Sequence, residues 1–216
     1  GTGTGTIARG VAEYGCDVYA CDPAVEILEK AKDLSLQQGV SIKFSVGSAE
    51  ITNYPDNSFD LVLVGQAWHW FDYEKAIQEI LRILKPDGKL VIAHFDWLPH
   101  KSSVADLSET LVTKHNPRWK GANGTGFYPE WTMQLAEAGF TGIESWSFDK
   151  TLHYKKESWL GRIRASAGIS GSLSPEEILV FDREHSLLLD EKIEGNELLI
   201  LHRCFTIVAT PPKMAD

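Results

Sequence analysis

The stretch GTGTGTIARGVAEYGCDVYACDP, residues 1–23, decides the fold. Gly1, Gly3 and Gly5 alternate with threonines, and Ile7, Ala8, Val11 and Ala12 then recur at helical spacing, so a glycine loop runs straight into a helix. The apolar run from Asp17 to Cys21 reads as a strand. Asp22 and Pro23 read as the cap and first position of a helix that continues to about Gln38 and stops at Gly39. Asp22 lies 17 residues beyond Gly5 at the carboxyl end of that strand, where an acidic side chain accepts hydrogen bonds from both hydroxyls of a ribose. Glycine loop and acid together point to a nucleoside without deciding which one.

Outward from this stretch, strands and helices alternate. Ile42 to Val46 alternates as a strand, and Phe59 to Val64 is a continuous apolar run that suits a strand buried on both faces. Ala76, Ile77, Ile80, Leu81 and Leu84 mark one face of a helix that ends at Lys85-Pro86-Asp87-Gly88, and Lys89 to Phe95 forms the next strand. This rhythm predicts parallel βαβ units, an open α/β sheet with helices on both faces. Beyond Asp96, helices are expected around Ser103 to Lys114, Pro129 to Ala138, Glu157 to Ala167 and Pro175 to Ile193. Ile143 to Tyr154 and Leu198 to Thr210 read as late strands, an edge hairpin with one antiparallel edge strand, interrupted by helical lid insertions. The whole chain, 1–216, reads as one domain, with a core in 1–95 and lid and edge strands in 96–216. The segment from Asn116 to Gly126, with Pro117 and three glycines, is the expected mobile loop.

Composition narrows the function. The 216 residues carry 21 Lys+Arg against 30 Asp+Glu, a formal charge of -9, which argues against a nucleic-acid partner held by phosphate neutralisation. The apolar runs Leu61 to Val64 and Leu198 to Leu201 fall far short of the roughly 18 residues of a membrane span. No secretory h-region follows the start, and three cysteines fit a reducing cytosol, so a cytoplasmic location is expected. No His, Cys and Asp set has metal-ligand spacing.

Four segments in order resemble the class I methyltransferases that use S-adenosylmethionine, in the UbiE-like and aconitate-methyltransferase-like branch. They are GTGTGT (1–6), YACDP (19–23), VGSAEITNYPDNSFDLVLVGQAWHWFD (46–72) and EILRILKPDGKLVIA (79–93). The resemblance implies a Rossmann-like fold. It also places Gly1, Gly3 and Gly5 against the methionine and ribose parts of the cofactor, with Asp22, followed by Pro23, on the ribose hydroxyls. Ser48, Ala49 and Glu50 then fall at adenine, and Gln66, Ala67, Trp68 and His69 border the methyl group. Two departures stand out. Ser48 occupies a position where many relatives hold an acid, and the family's first strand, with its own acid before the loop, does not precede Gly1. The expectation is a fragment of a longer protein whose preceding residues form an apolar strand ending in an acid.

The implied activity is methyl transfer to a small-molecule carboxylate, hydroxyl or acidic carbon. A carboxylate acceptor needs no base, whereas for the others His69 is the candidate base. Two other readings stay open: a nicotinamide-dependent oxidoreductase, and a binding protein that keeps the shape without turnover. Residue roles have rivals too. Asp22 before Pro23 suits a helix cap, Glu50 suits a solvated helix start, and His69 between Trp68 and Trp70 suits aromatic packing. Most of the tryptophans read as core, Arg162 and Arg164 sit too close on one helix to share a face, and Cys16 and Cys21 read as packing residues.

Overall fold

A computed structural model describes residues 1–212. The chain divides into two compact units. The first comprises residues 1–94, 128–146 and the described residues from Phe205 onward, and the second comprises 95–127 and 147–204.

In the first unit, helix α1 (Thr6–Glu13) follows the glycine loop and strand β1 (Val18–Asp22) follows α1. Helix α2 (Val25–Gln38) leads to β2 (Ile42–Val46), and β3 (Phe59–Gly65) is followed by a short 3-10 turn at Trp68–Trp70 and helix α3 (Tyr73–Ile83). Strand β4 (Leu84–Trp97), helix α5 (Pro129–Glu137), and strands β5 (Thr141–Lys155) and β6 (Glu197–Thr210) complete it. These three strands carry the chain between the units. The strands form two sheets: β1 pairs with β2, and the second sheet runs β3-β4-β6-β5. The ladders of β1 with β2 and of β3 with β4 are parallel, as the alternating rhythm predicts. Asp22 pairs with Val46, so β1 and β2 end together, whereas Gly65, the end of β3, pairs with Ala93 and β4 runs on to Trp97. β5 lies at the edge beside β6, where the sequence places its edge pair.

Local chemistry explains the boundaries. Gly39 ends α2 at φ 71, a conformation that costs glycine little. Asp72 caps α3 by accepting from Lys75 N. Where the chain must come close, side chains are missing: a Cβ on Gly65 would lie 1.9 Å from Ile7 Cδ1, so α1 meets β3 through a glycine. The core beneath is Val64, Trp68, Ile77, Ile80, Leu90 and Ile92 with Trp131, Leu135 and Phe205. Two boundaries differ from expectation. α2 begins at Val25 with Ala24 as its cap, so Pro23 lies outside it and Asp22 is the last residue of β1. Strand β4 begins at Leu84, because Lys85 to Gly88 form a bulge between the pairs Phe59 with Leu84 and Leu61 with Lys89.

The second unit contains α4 (Val104–His115), α6 (Lys156–Arg164) and α7 (Pro175–Lys192). Its core is Leu111, Val112, Trp159, Ile163, Ile169, Phe181 and Leu189 with Leu198 and Ile200. Ser174 and Glu177 form a reciprocal capping box at the start of α7, ahead of which the sequence already shows Ser, Pro and Glu in order. Among the described residues no helix is long and apolar enough to cross a membrane.

Candidate functional site

The site is built in the first unit, where β1, β2 and β3 end. In an open α/β sheet this is the edge at which ligands collect, because the loops leaving parallel strands diverge there. Asp22 anchors it. The residue is 7% exposed, and its two carboxylate oxygens take separate tasks: Oδ2 accepts from Gly3 N at 2.8 Å and Oδ1 from Ala24 N at 3.0 Å. Asp22 therefore ties the glycine loop to the start of α2 without being its cap. Each oxygen keeps a lone pair beyond these bonds, since a carboxylate has about four acceptor sites.

The start of the glycine loop is bonded to the end of β1, and the loop then turns, with Gly5 N donating to Thr2 O at 3.0 Å. Gly1 N donates to Cys21 O at 2.7 Å and Thr2 N to the same oxygen at 2.9 Å. A Cβ on Gly1 would sit 2.9 Å from Ala67 Cβ and 3.0 Å from Phe71 Cζ, so the loop is pressed against the chain that leaves β3. Gly3 has φ 56 and a Cβ there would meet nothing within 4 Å, so backbone conformation and not space calls for glycine. Gly5 differs from its expected part. It caps α1 at φ 78 and faces Ala31 and Phe44, a packing position under the loop.

Ser48, Ala49 and Glu50 form a tight turn after β2, closed by Ile51 N donating to Ser48 O at 3.3 Å. Glu50 Oε1 accepts from Asp72 N at 3.0 Å, which ties this turn to the start of α3. Burial opposes ionisation of Glu50, but hydrogen bonds from the Ser48 hydroxyl and from the backbone N–H groups of Glu50 and Asp72 outweigh it and hold the carboxyl below its usual range. Pro23 stays exposed, and Ala49 marks the turn by position only.

Gln66 to His69 follow β3. Gln66 takes φ 54, unusual for a residue with a side chain, while its N donates to Ala93 O at 2.9 Å. Trp68 is core, its Nε1 donating to Gln134 Oε1 at 2.9 Å. His69 is exposed, with its ring 4.8 Å from that of Trp70 and 5.2 Å, edge-on, from that of His94. Sequence reading passed over His94. It is 6% exposed at the end of the β4 ladder, edge-on to Tyr128 at 4.7 Å and to Trp131 at 5.4 Å, and those two rings stack on each other at 4.0 Å. The available signal was one histidine inside the otherwise apolar run LVIAHF, residues 90–95.

Gly1, Gly3, Asp22, Ser48 to Glu50 and Gln66 to His69 thus share one rim, from the ends of β1 and β2 to the end of β3. An acidic clasp, a loop with glycine at alternate positions and an exposed imidazole can hold a polyhydroxylated adenosyl compound and remove a proton beside it. The second unit holds Arg162 over the Trp97 ring at 4.8 Å and Arg164 on Asp182 at 2.5 Å, so the two arginines take different partners. Cys16 and Cys21 are free thiols, and burial raises the pKa of the Cys21 thiol.

Comparison with known proteins relates the segment that carries these residues to a family. Residues 1–92 match the family described as methyltransferase domain. The chain is 44% identical over 117 residues to the uncharacterized methyltransferase Rv3342 of Mycobacterium tuberculosis, covering 54% of this chain and 46% of that protein. It is 37% identical over 147 residues to the demethylmenaquinone methyltransferase of Paenarthrobacter aurescens, covering 67% and 53%. The uncharacterized methyltransferase YcgJ of Bacillus subtilis is 35% identical over 167 residues, covering 75% and 62%. Its crystal structure superposes with TM-score 0.62 at 20% identity, over 98% of this chain and 89% of that one. The chain spans about half the length of the curated relatives it matches. Residues 1–92 thus match the methyltransferase domain family, and the chain is similar, on a Rossmann-like α/β fold, to methyltransferases that include a demethylmenaquinone enzyme.

Proposed function

We propose that the chain transfers the methyl group of S-adenosylmethionine to a small-molecule acceptor. The observation that carries this reading is Asp22, held at the end of β1 by Gly3 N and Ala24 N with acceptor capacity left over, beside a loop pressed onto Ala67 and Phe71. The residues fit an adenosyl ligand: the loop is open at Gly3, where backbone can be approached closely, and a buried acid is suited to two vicinal hydroxyls. S-adenosylmethionine brings a methyl group already activated by its sulfonium.

What the protein adds is position. Asp22 holds the ribose and Gly1 and Gly3 line the methionine side, while Ser48, Ala49 and Glu50 border adenine and Gln66 to Trp68 border the transferred group. Fixing nucleophile and methyl carbon in line accounts for roughly 7 to 11 kcal/mol of barrier in well-oriented intramolecular reactions. His69, exposed at the same rim, takes the proton of a hydroxyl or acidic-carbon acceptor, and a carboxylate acceptor leaves it idle. The named activity of the demethylmenaquinone relatives makes a quinol-type acceptor the first to try.

Calorimetry with S-adenosylhomocysteine tests the cofactor half, and the absence of any binding heat would overturn it. A labelled-methyl screen over small carboxylic acids, phenols and demethylmenaquinol tests the acceptor half. A second reading, that of a protein that binds without turnover, is motivated by Ser48, which stands where many members of the resembled family hold an acid. Binding of S-adenosylhomocysteine with no transfer to any acceptor on that panel selects it.

A further inference from the structure

Strand β5 stands at the end of the β3-β4-β6-β5 sheet, so one side of its backbone pairs with β6 and the other is left unpaired among the described strands. Such an edge is a template for another strand, and proteins blunt it with short strands, proline or lysines. β5 runs for 15 residues, TGIESWSFDKTLHYK, without a proline, against a usual strand length of about 3 to 10. Its middle is apolar and open to solvent: Trp146 is 47% exposed and Phe148 55%. Its mid-strand lysine, Lys150, is matched by an acid, Glu144.

Side chains two apart along a strand share a face, so Glu144, Trp146, Phe148 and Lys150 form one row. All four are exposed, and neither Glu144 nor Lys150 has an ionic partner among the described residues. The row reads acid, aromatic, aromatic, base, and it is its own complement when turned end for end. About a two-fold axis through Ser147, an antiparallel copy of β5 sets Trp146 opposite Phe148 and Glu144 opposite Lys150, each twice. The neighbouring pairs, Ser145 with Asp149, Ile143 with Thr151 and Thr141 with His153, oppose no like charges. Sliding the axis by one residue loses the match. Centred on Trp146 it sets Glu144 against Phe148, and centred on Phe148 it sets Lys150 against Trp146.

We infer that β5 is the contact edge of a symmetric dimer, in which a second copy of this chain adds its own β5 antiparallel through Glu144 to Lys150. Backbone hydrogen bonds across the edge supply affinity, while the aromatic and charged pairs fix the register. A two-fold contact uses up the edge on both copies, so assembly stops at two.

Sedimentation velocity over a concentration series tests the edge, with thermal melts to confirm that each variant is folded. The unaltered chain is expected to pass from monomer to dimer as concentration rises. Glu144→Lys and Lys150→Glu each set like charges opposite one another at both ends of the row, and each is expected to raise the dissociation constant about tenfold. The double variant Glu144→Lys/Lys150→Glu opposes unlike charges again with their signs exchanged, and is expected to return to within about threefold of the unaltered chain. Amide hydrogen exchange gives a second readout: alternate amides between Ile143 and Thr151 are expected to slow as concentration rises, while those of β2 keep their rates. A chain that stays monomeric across the series, a double variant as weak as the single ones, or species larger than a dimer overturns the inference. Should a single variant fail to fold, exchange in the unaltered chain decides, and β5 amides that do not slow with concentration overturn it.

Discussion

Asp22 ties the glycine loop to the start of α2 and, in the proposed reading, serves the ligand with the same side chain. Replacing it with Asn keeps the shape and one acceptor but removes the charge and one acceptor position. The expected result is a tenfold or greater loss of S-adenosylhomocysteine affinity by calorimetry, about 1.4 kcal/mol or more, with a smaller loss of thermal stability. Unchanged affinity beside a lowered melting temperature would reduce Asp22 to a structural tie. Two glycines separate backbone cost from steric cost. Gly3→Ala meets open space but must keep φ 56, so about 1 to 2 kcal/mol is expected from conformation alone. Gly65→Ala forces a carbon to 1.9 Å from Ile7 Cδ1, so its cost, about 1 to 3 kcal/mol in urea titrations, is expected to fall when Ile7 is also cut back to Ala. Asp22 was legible because its spacing from the loop is a sequence property. Its second bond, to Gly3 N, was not, since a hydrogen bond spanning 19 positions leaves no local trace. His94 was hidden for a related reason: a histidine within an apolar run is indistinguishable from a core residue until its ring neighbours are known.

Elements were read more securely than residues, because their signals are periodic. All four late helices lie within a few positions of their expected bounds, and α7 starts at Pro175 behind the Ser174 cap. Ser174→Ala removes the acceptor for Glu177 N and half of the capping box, and a loss of about 1 kcal/mol is expected by thermal melts. Rescue by Thr or Asp at 174 identifies the loss as capping. The start of α2 was misread because Asp-Pro is a strong capping signal in isolation, while strand pairing from Val18 to Asp22 with Ile42 to Val46 keeps Asp22 extended. Likewise Lys85-Pro86-Asp87-Gly88 carries turn chemistry that the structure absorbs as a bulge. A Cβ on Gly88 would lie 2.9 Å from Leu84 Cδ2 and 3.0 Å from Lys85 O, so a glycine is what lets the strand double back on itself there.

At the scale of the whole chain, acid is the expected point of weakness. His185 is fully buried against Ser108, Nε2 to Oγ at 2.9 Å, and burial pushes its pKa from 6.5 down to about 4. The unfolded chain therefore binds this proton more tightly than the folded one. The stability held by the neutral ring is complete above pH 6.5 and is lost as pH falls toward 4. Glu79, bonded by Arg82 at 2.8 and 2.7 Å and by Thr52, is held at about 2 against 4.5, so its contribution is complete above pH 4.5 and is lost toward pH 2. Urea midpoints are expected to drop in two stages on acidification. His185→Gln should flatten the upper stage by up to about 3 kcal/mol, whereas Glu79→Gln should flatten only the lower. The division into units was beyond reach of local pattern, since residues 128–146 and the end of β6 rejoin the first 94 through pairings that no window of sequence contains. Trp70 adds a practical gift of this arrangement. Its indole is 67% exposed beside His69, while Trp68, Trp131 and Trp159 are sealed in cores. The chain thus carries its own fluorophore at the rim, and a blue shift or quench of its red-edge emission, absent in Trp70→Phe, would announce an arriving guest without any added dye.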